Sequence, residues 1–150
     1  LVISLASEYD AEDIGEMSRV EIEQGLPWRW TPERVMRSIV NTNTNVAVVR
    51  KNDKLIAFGI MKYDDLVAHL LLLAVHTLHQ RQGIGTSLLK WLEQVASTAG
   101  IERIQAEVLA DNVGARFFYY AHKYKERSVV VGMYHGSKNG VTLEKSLIPG

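Results

Sequence analysis

An α/β domain is the fold class this chain predicts, on three observations. Short apolar and β-branched runs alternate with stretches whose apolar residues return roughly every three or four positions. Clusters of Gly, Pro, Asn and Asp separate the two kinds of segment. Between residues 68–75 and Gly83, a β-like, largely apolar run gives way to the longest helical pattern in the chain. At 150 residues the chain has single-domain length and can bury one substantial core.

Residues 1–6 read as a short strand. Asp10 is placed to cap a helix reaching about Gln24, with Glu12 and Asp13 in the first turn, where the helix dipole favours acids. Ile14 and Met17 give this helix a buried face, with Val20 and Ile22 as further candidates, and Gly25-Leu26-Pro27 stops it. Thr31-Pro32-Glu33 opens a second helix, Thr as cap and Pro at the first helical position. Val35, Met36, Ile39 and Val40 form its apolar side.

Residues 46–50 and 55–63 are strand-like and joined by the turn signal Asn52-Asp53. Asp64-Asp65 turns the chain into a strand over 66–75. From Gly83, Ile84, Leu88, Leu89, Leu92, Val95 and Ala96 share one side of a helix that Gly100 ends. Residues 101–109 form a strand, Asp111 or Asn112 starts a short helix to about His122, and 129–134 and 141–147 are the closing strands. The predicted order is β-α-α-β-β-β-α-β-α-β-β, one domain over 1–150 without repeat or linker.

Composition excludes more than it assigns. A hydrophobic share of 47% and a charged share of 23% are ordinary for a globular chain. Seventeen basic residues balance 17 acidic ones, so no global field points to nucleic acid or an anionic membrane. Without cysteine there is no disulfide framework and no thiol nucleophile, which suits a reducing cytoplasm. The longest apolar run, 70–75, is far short of a membrane span, and no signal-peptide pattern opens the chain. The chain begins at Leu, so an initiator segment is expected before it. A cytoplasmic location is the expectation.

The strongest functional signal is residues 80–89, Gln-Arg-Gln-Gly-Ile-Gly-Thr-Ser-Leu-Leu. Glycine permits a positive φ and, lacking Cβ, lets backbone approach a ligand closely. Successive N–H groups then converge at a helix start, where the dipole favours negative charge. Such a turn suits a diphosphate. Neither the dinucleotide fingerprint G-x-G-x-x-G nor the P-loop G-x-x-x-x-G-K-[ST] fits as well. The form Gln-x-x-Gly-x-Gly resembles the acetyl-CoA signature of the GNAT superfamily of N-acetyltransferases. Downstream, Asn112, Ala115, Phe118 and Tyr119 resemble that family's N-x-x-A-x-x-[FL]-Y pattern. The resemblance implies the GNAT fold, a mixed sheet whose fourth and fifth strands splay apart to admit acetyl-CoA, and it covers roughly 66–124. Thr77 stands where the family often has proline, and Lys123-Tyr124 where Gly-Phe is common.

Acetyl transfer from a thioester to a primary amine requires that the cofactor be held, the amine deprotonated, the oxyanion stabilised and the departing thiolate protonated. For the first, the resemblance implies Gln80, Arg81, Gln82, Gly83, Ile84, Gly85 and Thr86 around the diphosphate. Leu73, Ala74 and Val75 match the segment whose main chain pairs with the pantetheine arm as an added strand. Asn112 caps its helix, contacts the cofactor, or both. The oxyanion donor is a main-chain N–H near Ala74 or Val75. Tyr119 matches the general-acid tyrosine and also contacts the cofactor. A phenol titrates near about 10, so it holds its proton at neutral pH.

Two residues compete for the base, and a water relay or another residue is the remaining alternative. Glu107, in Glu107-Val108-x-x-x-Asn112, resembles the glutamate of ribosomal-protein N-terminal acetyltransferases, although Leu109 stands where that type has arginine. His69 matches the position of the catalytic glutamate in histone-type members, and its ordinary pKa of about 6.5 suits proton abstraction. Strand alternation would put His69 on the face of Leu71, Leu73 and Val75. Trp28, Trp30 and Glu21 lie in the region where the family builds its acceptor pocket, and Tyr134 is a further lining candidate; anchoring the helical hairpin is the other role open to the tryptophans. His76-x-x-His79 falls in a loop, and no metal is expected. The acceptor, a small molecule or a protein or peptide amine, is left open, as are acyl-chain length and a homodimer. The alternative to an enzyme is a CoA-binding sensor or partner module of the same fold.

Overall fold

The computed structural model describes residues 1–149. Its elements follow the predicted order: β1 Ile3–Leu5, α1 Ala11–Glu21, α2 Pro32–Val40, β2 Thr44–Lys51, β3 Lys54–Asp64, β4 Val67–Val75, α3 Ile84–Thr98, β5 Arg103–Leu109, α4 Val113–Ala121, β6 Lys125–Tyr134 and β7 Lys138–Ser146. Two 3-10 turns, Glu8–Asp10 and Thr77–His79, precede α1 and α3.

Thr31 caps α2 as expected, its hydroxyl accepting from the Arg34 amide. Asp10 stands at the start of α1 but does not cap it. Its carboxylate instead accepts from the Ser7 amide at 2.8 Å and pairs with Arg50 on β2. Burial acts to raise this carboxyl, yet Arg50 and Ser7 outweigh it and hold Asp10 below the usual range. α1 ends at Glu21, earlier than its periodicity suggests, and Val20 is exposed. The chain then bends because the buried Glu23 carboxylate accepts from Ser18 Oγ and from the amides of Arg29 and Trp30. Local capture of a carboxylate overrides the helical pattern here.

The seven strands form one sheet in the order β1-β2-β3-β4-β5-β7-β6. β4 and β5 run parallel and the other neighbours antiparallel. Two apolar clusters cover its faces. One joins α3 and the Tyr119–Tyr124 region to Ala47, Ala57, Met61, Ala68, Leu70, Ala106 and Leu143. The other joins α1 and α2 to Val46, Val48, Phe58, Ile60, Leu72 and Ala74.

The centre of the sheet carries two irregularities. Ile60 of β3 pairs with Leu72 and Met61 with Leu70, so Leu71 is an extra residue, a β-bulge. Below the bulge, Ala68 and Leu70 belong to the α3 cluster. Above it, Leu72 and Ala74 belong to the α1/α2 cluster. The second irregularity is the parallel ladder, which pairs Val67–Leu70 with Arg103–Ala106 and stops. Both strands continue beyond it unpaired to one another, the splay that the resemblance implies.

Candidate active site

The splay opens a cleft of about 640 Å³ between the upper halves of β4 and β5. β4 contributes Leu70 through Val75 to its walls, β5 contributes Glu107, Val108 and Leu109, and α4 contributes Ala115, Phe118 and Tyr119. Glu21, Ile22 and Leu26 approach from the end of α1, and Tyr134 from β6.

Pairing decides which main-chain groups face the opening. His76 N–H donates to Ile56 O at 2.8 Å, which makes Ala74–Phe58 and Leu72–Ile60 the next hydrogen-bonded pairs of the antiparallel ladder. The Ala74 amide is therefore directed at β3, while those of Leu73 and Val75 turn toward the cleft. Of the two amides named for the oxyanion, Val75 has the cleft-facing orientation.

At the upper end of β4, the glycine turn leads into α3. Arg81 and Gly83 hold positive φ values of 62° and 81°. Gly83 is the cap of α3, and no atom lies within 4 Å of where its Cβ would stand. Ser87 N–H is the amide that returns to Gly83 O, at 3.0 Å, so the amides of Ile84, Gly85 and Thr86 are first-turn donors without an intrahelical partner. Gln80, Arg81, Gly83, Ile84, Gly85 and Thr86 all line the cleft; Gln82 is exposed beside it. The amides and the open space before Gly83 fit an anionic group such as a diphosphate. Gln80 anchors the turn by donating to Val75 O.

Asn112 caps α4 by accepting from the Ala115 amide at 3.1 Å, and it too lines the cleft. Two turns on, Tyr119 is 7% exposed, its ring edge-to-face with Phe118 at 5.3 Å and Tyr124 at 5.2 Å. Burial first, and Tyr134 second, push the Tyr119 phenol well above its ordinary range. Tyr134 itself is pushed up to about 12 by burial and by the charge of Glu107. Tyr119, Tyr134 and Glu107 thus surround one part of the cleft.

His69 is placed differently. The bulge at Leu71 reverses the alternation, so His69 does not share a face with Leu73 and Val75. It pairs with Lys62 on β3 and Gln105 on β5, in the closed part of the ladder, and does not line the cleft. Sequence periodicity assumed an unbroken strand, and one inserted residue changes the side. Trp28 and Trp30 also lie outside the cleft lining. Trp28 Nε1 donates to Gly15 O at 3.1 Å, and Trp30 is buried under the Arg34 guanidinium, 3.9 Å from the ring centroid. Both hold the α1–α2 hairpin. Glu21 lines the cleft, but its carboxylate accepts from the Thr77 amide and hydroxyl, tying α1 to the loop before α3. His76 caps the 3-10 turn through the Leu78 amide. Among the described residues no three His, Asp or Glu side chains converge as metal ligands, and no helix is long and apolar enough to cross a membrane.

Ile22, Leu26 and Leu71 are lining residues that the sequence reading missed. Leu26 precedes a proline in a loop, and no local pattern marks it. Leu71 could be found only through the bulge.

Residues 11–124 match the model of the acetyltransferase (GNAT) family. An N-acetyltransferase of Methanocaldococcus jannaschii, described as uncharacterized, is 36% identical over 78 residues, 51% of this chain and 50% of the relative. The chain thus matches about half the length of that relative. Among solved structures, the ribosomal-protein-S18-alanine N-acetyltransferase of Escherichia coli superposes with a TM-score of 0.85 at 22% identity, over 99% of this chain and 96% of that one. The PaiA N-acetyltransferase of Thermoplasma acidophilum, solved with coenzyme A, gives 0.82 at 22% identity, over 97% and 98%. At these identities the two structures speak for the fold. The family match, together with a parallel strand pair splayed beside a glycine turn, establishes that this chain belongs to the GNAT acetyltransferase family.

Proposed function

We propose that this chain is an acetyl-CoA-dependent N-acetyltransferase acting on a primary amine. One observation carries the reading: the glycine turn, the cleft-facing amides of β4 and the Tyr119 phenol all border a single cleft. Acetyl-CoA, when bound, supplies the thioester whose carbonyl carbon the amine attacks. The first-turn amides of α3 hold the diphosphate, and Leu73 and Val75 align the pantetheine arm by main-chain pairing. The Val75 amide donates to the oxygen on which charge develops.

Glu107 takes the proton from the incoming amine, directly or through water. It lines the cleft close enough to Tyr134 for its charge to raise that phenol. Tyr119, kept protonated by burial, gives its proton to the departing sulfur. The acceptor is a small-molecule or peptide amine, and the cytoplasm is the proposed compartment.

Release of free thiol from acetyl-CoA, followed with a panel of amines, tests the assignment. Tyr119→Phe should lower turnover about 10²–10⁴-fold, the range for a lost general acid, with cofactor affinity little changed. A chain that binds CoA tightly but releases no thiol with any amine is a binding module instead.

A further inference from the structure

Tyr124 occupies the position where the family commonly has phenylalanine, and its hydroxyl is engaged. The side chain is 2% exposed. Its Oη donates to Glu93 Oε2 on α3 at 2.7 Å, and Glu93 Oε1 accepts from Lys145 Nζ on β7 at 3.0 Å. The same lysine lies 5.6 Å from the Tyr124 ring centroid. Helix α3, strand β7 and the turn between α4 and β6 therefore meet around one phenol.

What that phenol supports is the end of α4. Tyr124 N–H donates to Tyr119 O at 3.0 Å and Lys123 N–H to Tyr120 O at 3.0 Å, with Lys123 at φ 73°. This is the paired bonding of a Schellman cap, in which the residue after the left-handed position packs on the third residue from the helix end. Those two residues are Tyr124 and Tyr119, whose rings meet at 5.2 Å and 70°. Among the described residues no hydrogen bond holds the Tyr119 hydroxyl, so the direction of that phenol depends on how its ring is packed.

We propose that Tyr124, anchored by Glu93 and Lys145, is a positioning residue that aims the Tyr119 phenol at the departing sulfur. The inference rests on the role given to Tyr119 above. The Glu93 carboxylate fixes where the Tyr124 phenol oxygen sits, and with it the end of the ring; the ring in turn forms one wall against which Tyr119 is set. Misplacing a reacting group by about 1 Å costs up to about 10²-fold in rate, so loss of one anchoring bond should be visible in turnover.

The test is a double-mutant cycle on the full chain. Tyr124→Phe keeps the ring and removes the anchor; kcat should fall about tenfold, within the range set by misplacement, while the KM for acetyl-CoA stays within about twofold. In a Tyr119→Phe background the same substitution should change nothing further, because the group it aims is gone. Glu93→Ala should reproduce the tenfold loss and Glu93→Gln, which retains an acceptor for Tyr124, should restore most of it. An undiminished kcat in Tyr124→Phe overturns the proposal, as does a loss that multiplies with that of Tyr119→Phe. If Tyr124→Phe does not fold, the Glu93 pair decides by the same criteria. Full turnover in Tyr119→Phe alone is a separate result and removes the acid assignment itself.

Discussion

Gln80 donates through Nε2 to the carbonyl oxygen of Val75 at 2.9 Å, bridging the start of the glycine turn to the last residue of β4. The bond explains why the signature begins with a side-chain donor. It closes the loop between β4 and α3, the two elements proposed above to hold acetyl-CoA. Gln80→Ala breaks the bridge and trims one side chain from the cleft lining. A hydrogen bond of this kind contributes about 0.5–1.5 kcal/mol, so the KM for acetyl-CoA should rise about 2–10-fold with kcat unchanged at saturation. Steady-state kinetics with acetyl-CoA varied checks this.

The two glycines of the turn should respond differently to alanine. Gly83 holds φ 81°, a conformation that costs an L residue roughly 1–2 kcal/mol. Gly85 has an ordinary helical position, and a Cβ there would meet Phe118 at 3.5 Å and Val75 at 3.6 Å, normal packing distances. Gly83→Ala should therefore weaken CoA binding several-fold by calorimetry, while Gly85→Ala should bind nearly as the parent does. Gly85→Leu, which has no room beside Phe118, should lose affinity. Equal tolerance at both positions would contradict the assigned geometry.

Base assignment can be separated by pH. Glu107 lines the cleft and His69 lies in the closed ladder. Glu107→Gln should lower kcat/KM about 10²–10⁴-fold and abolish the acidic limb of its pH profile. His69→Gln should leave both the limb and the rate close to the parent values. The reverse pattern would transfer the role to His69.

Alkaline stability should report the two buried phenols. Burial raises both Tyr119 and Tyr124, the latter further through Glu93. A group with a raised folded pKa contributes stability that is complete below its unfolded value and lost as pH climbs above it. Here that window opens near about pH 10, the ordinary phenol value. Each phenol should remove about 1.4 kcal/mol per pH unit above that point. Chemical denaturation from neutral to strongly alkaline pH should show this decline, and Tyr124→Phe should make it shallower by one such share.

Lys123 offers a gain. It holds φ 73° at the cap of α4, where Gly100 serves the equivalent cap of α3 at φ 90°. Replacing a strained L residue by glycine relieves roughly 1–2 kcal/mol of backbone cost, offset in part by the greater freedom of glycine in the unfolded chain. Lys123→Gly should raise the thermal midpoint by about 2–4 °C. A lower midpoint would mean that the lysine side chain contributes more than its backbone costs.

Local physics made much of this protein legible before folding was considered. The order of strands and helices follows from hydrophobic period and from turn residues such as Thr31, Gly83 and Gly100, whose effects act within a few positions. The glycine turn and the Asn112–Tyr119 segment were legible for the same reason, since each works through its own backbone. Tertiary structure alone decided the rest. Leu71 bulges because β3 and β4 meet there one residue out of step, and that shift moves His69 to the other side of the sheet. Glu21, Glu23 and Asp10 are committed to Thr77, to the Arg29–Trp30 amides and to Arg50, partners that only the fold brings close. Tyr124 likewise acquires Glu93 and Lys145 from elements 31 residues before it and 21 after, as the separations in the chain give. Periodicity records which side of an element is apolar; register and long-range pairing decide what each polar group meets.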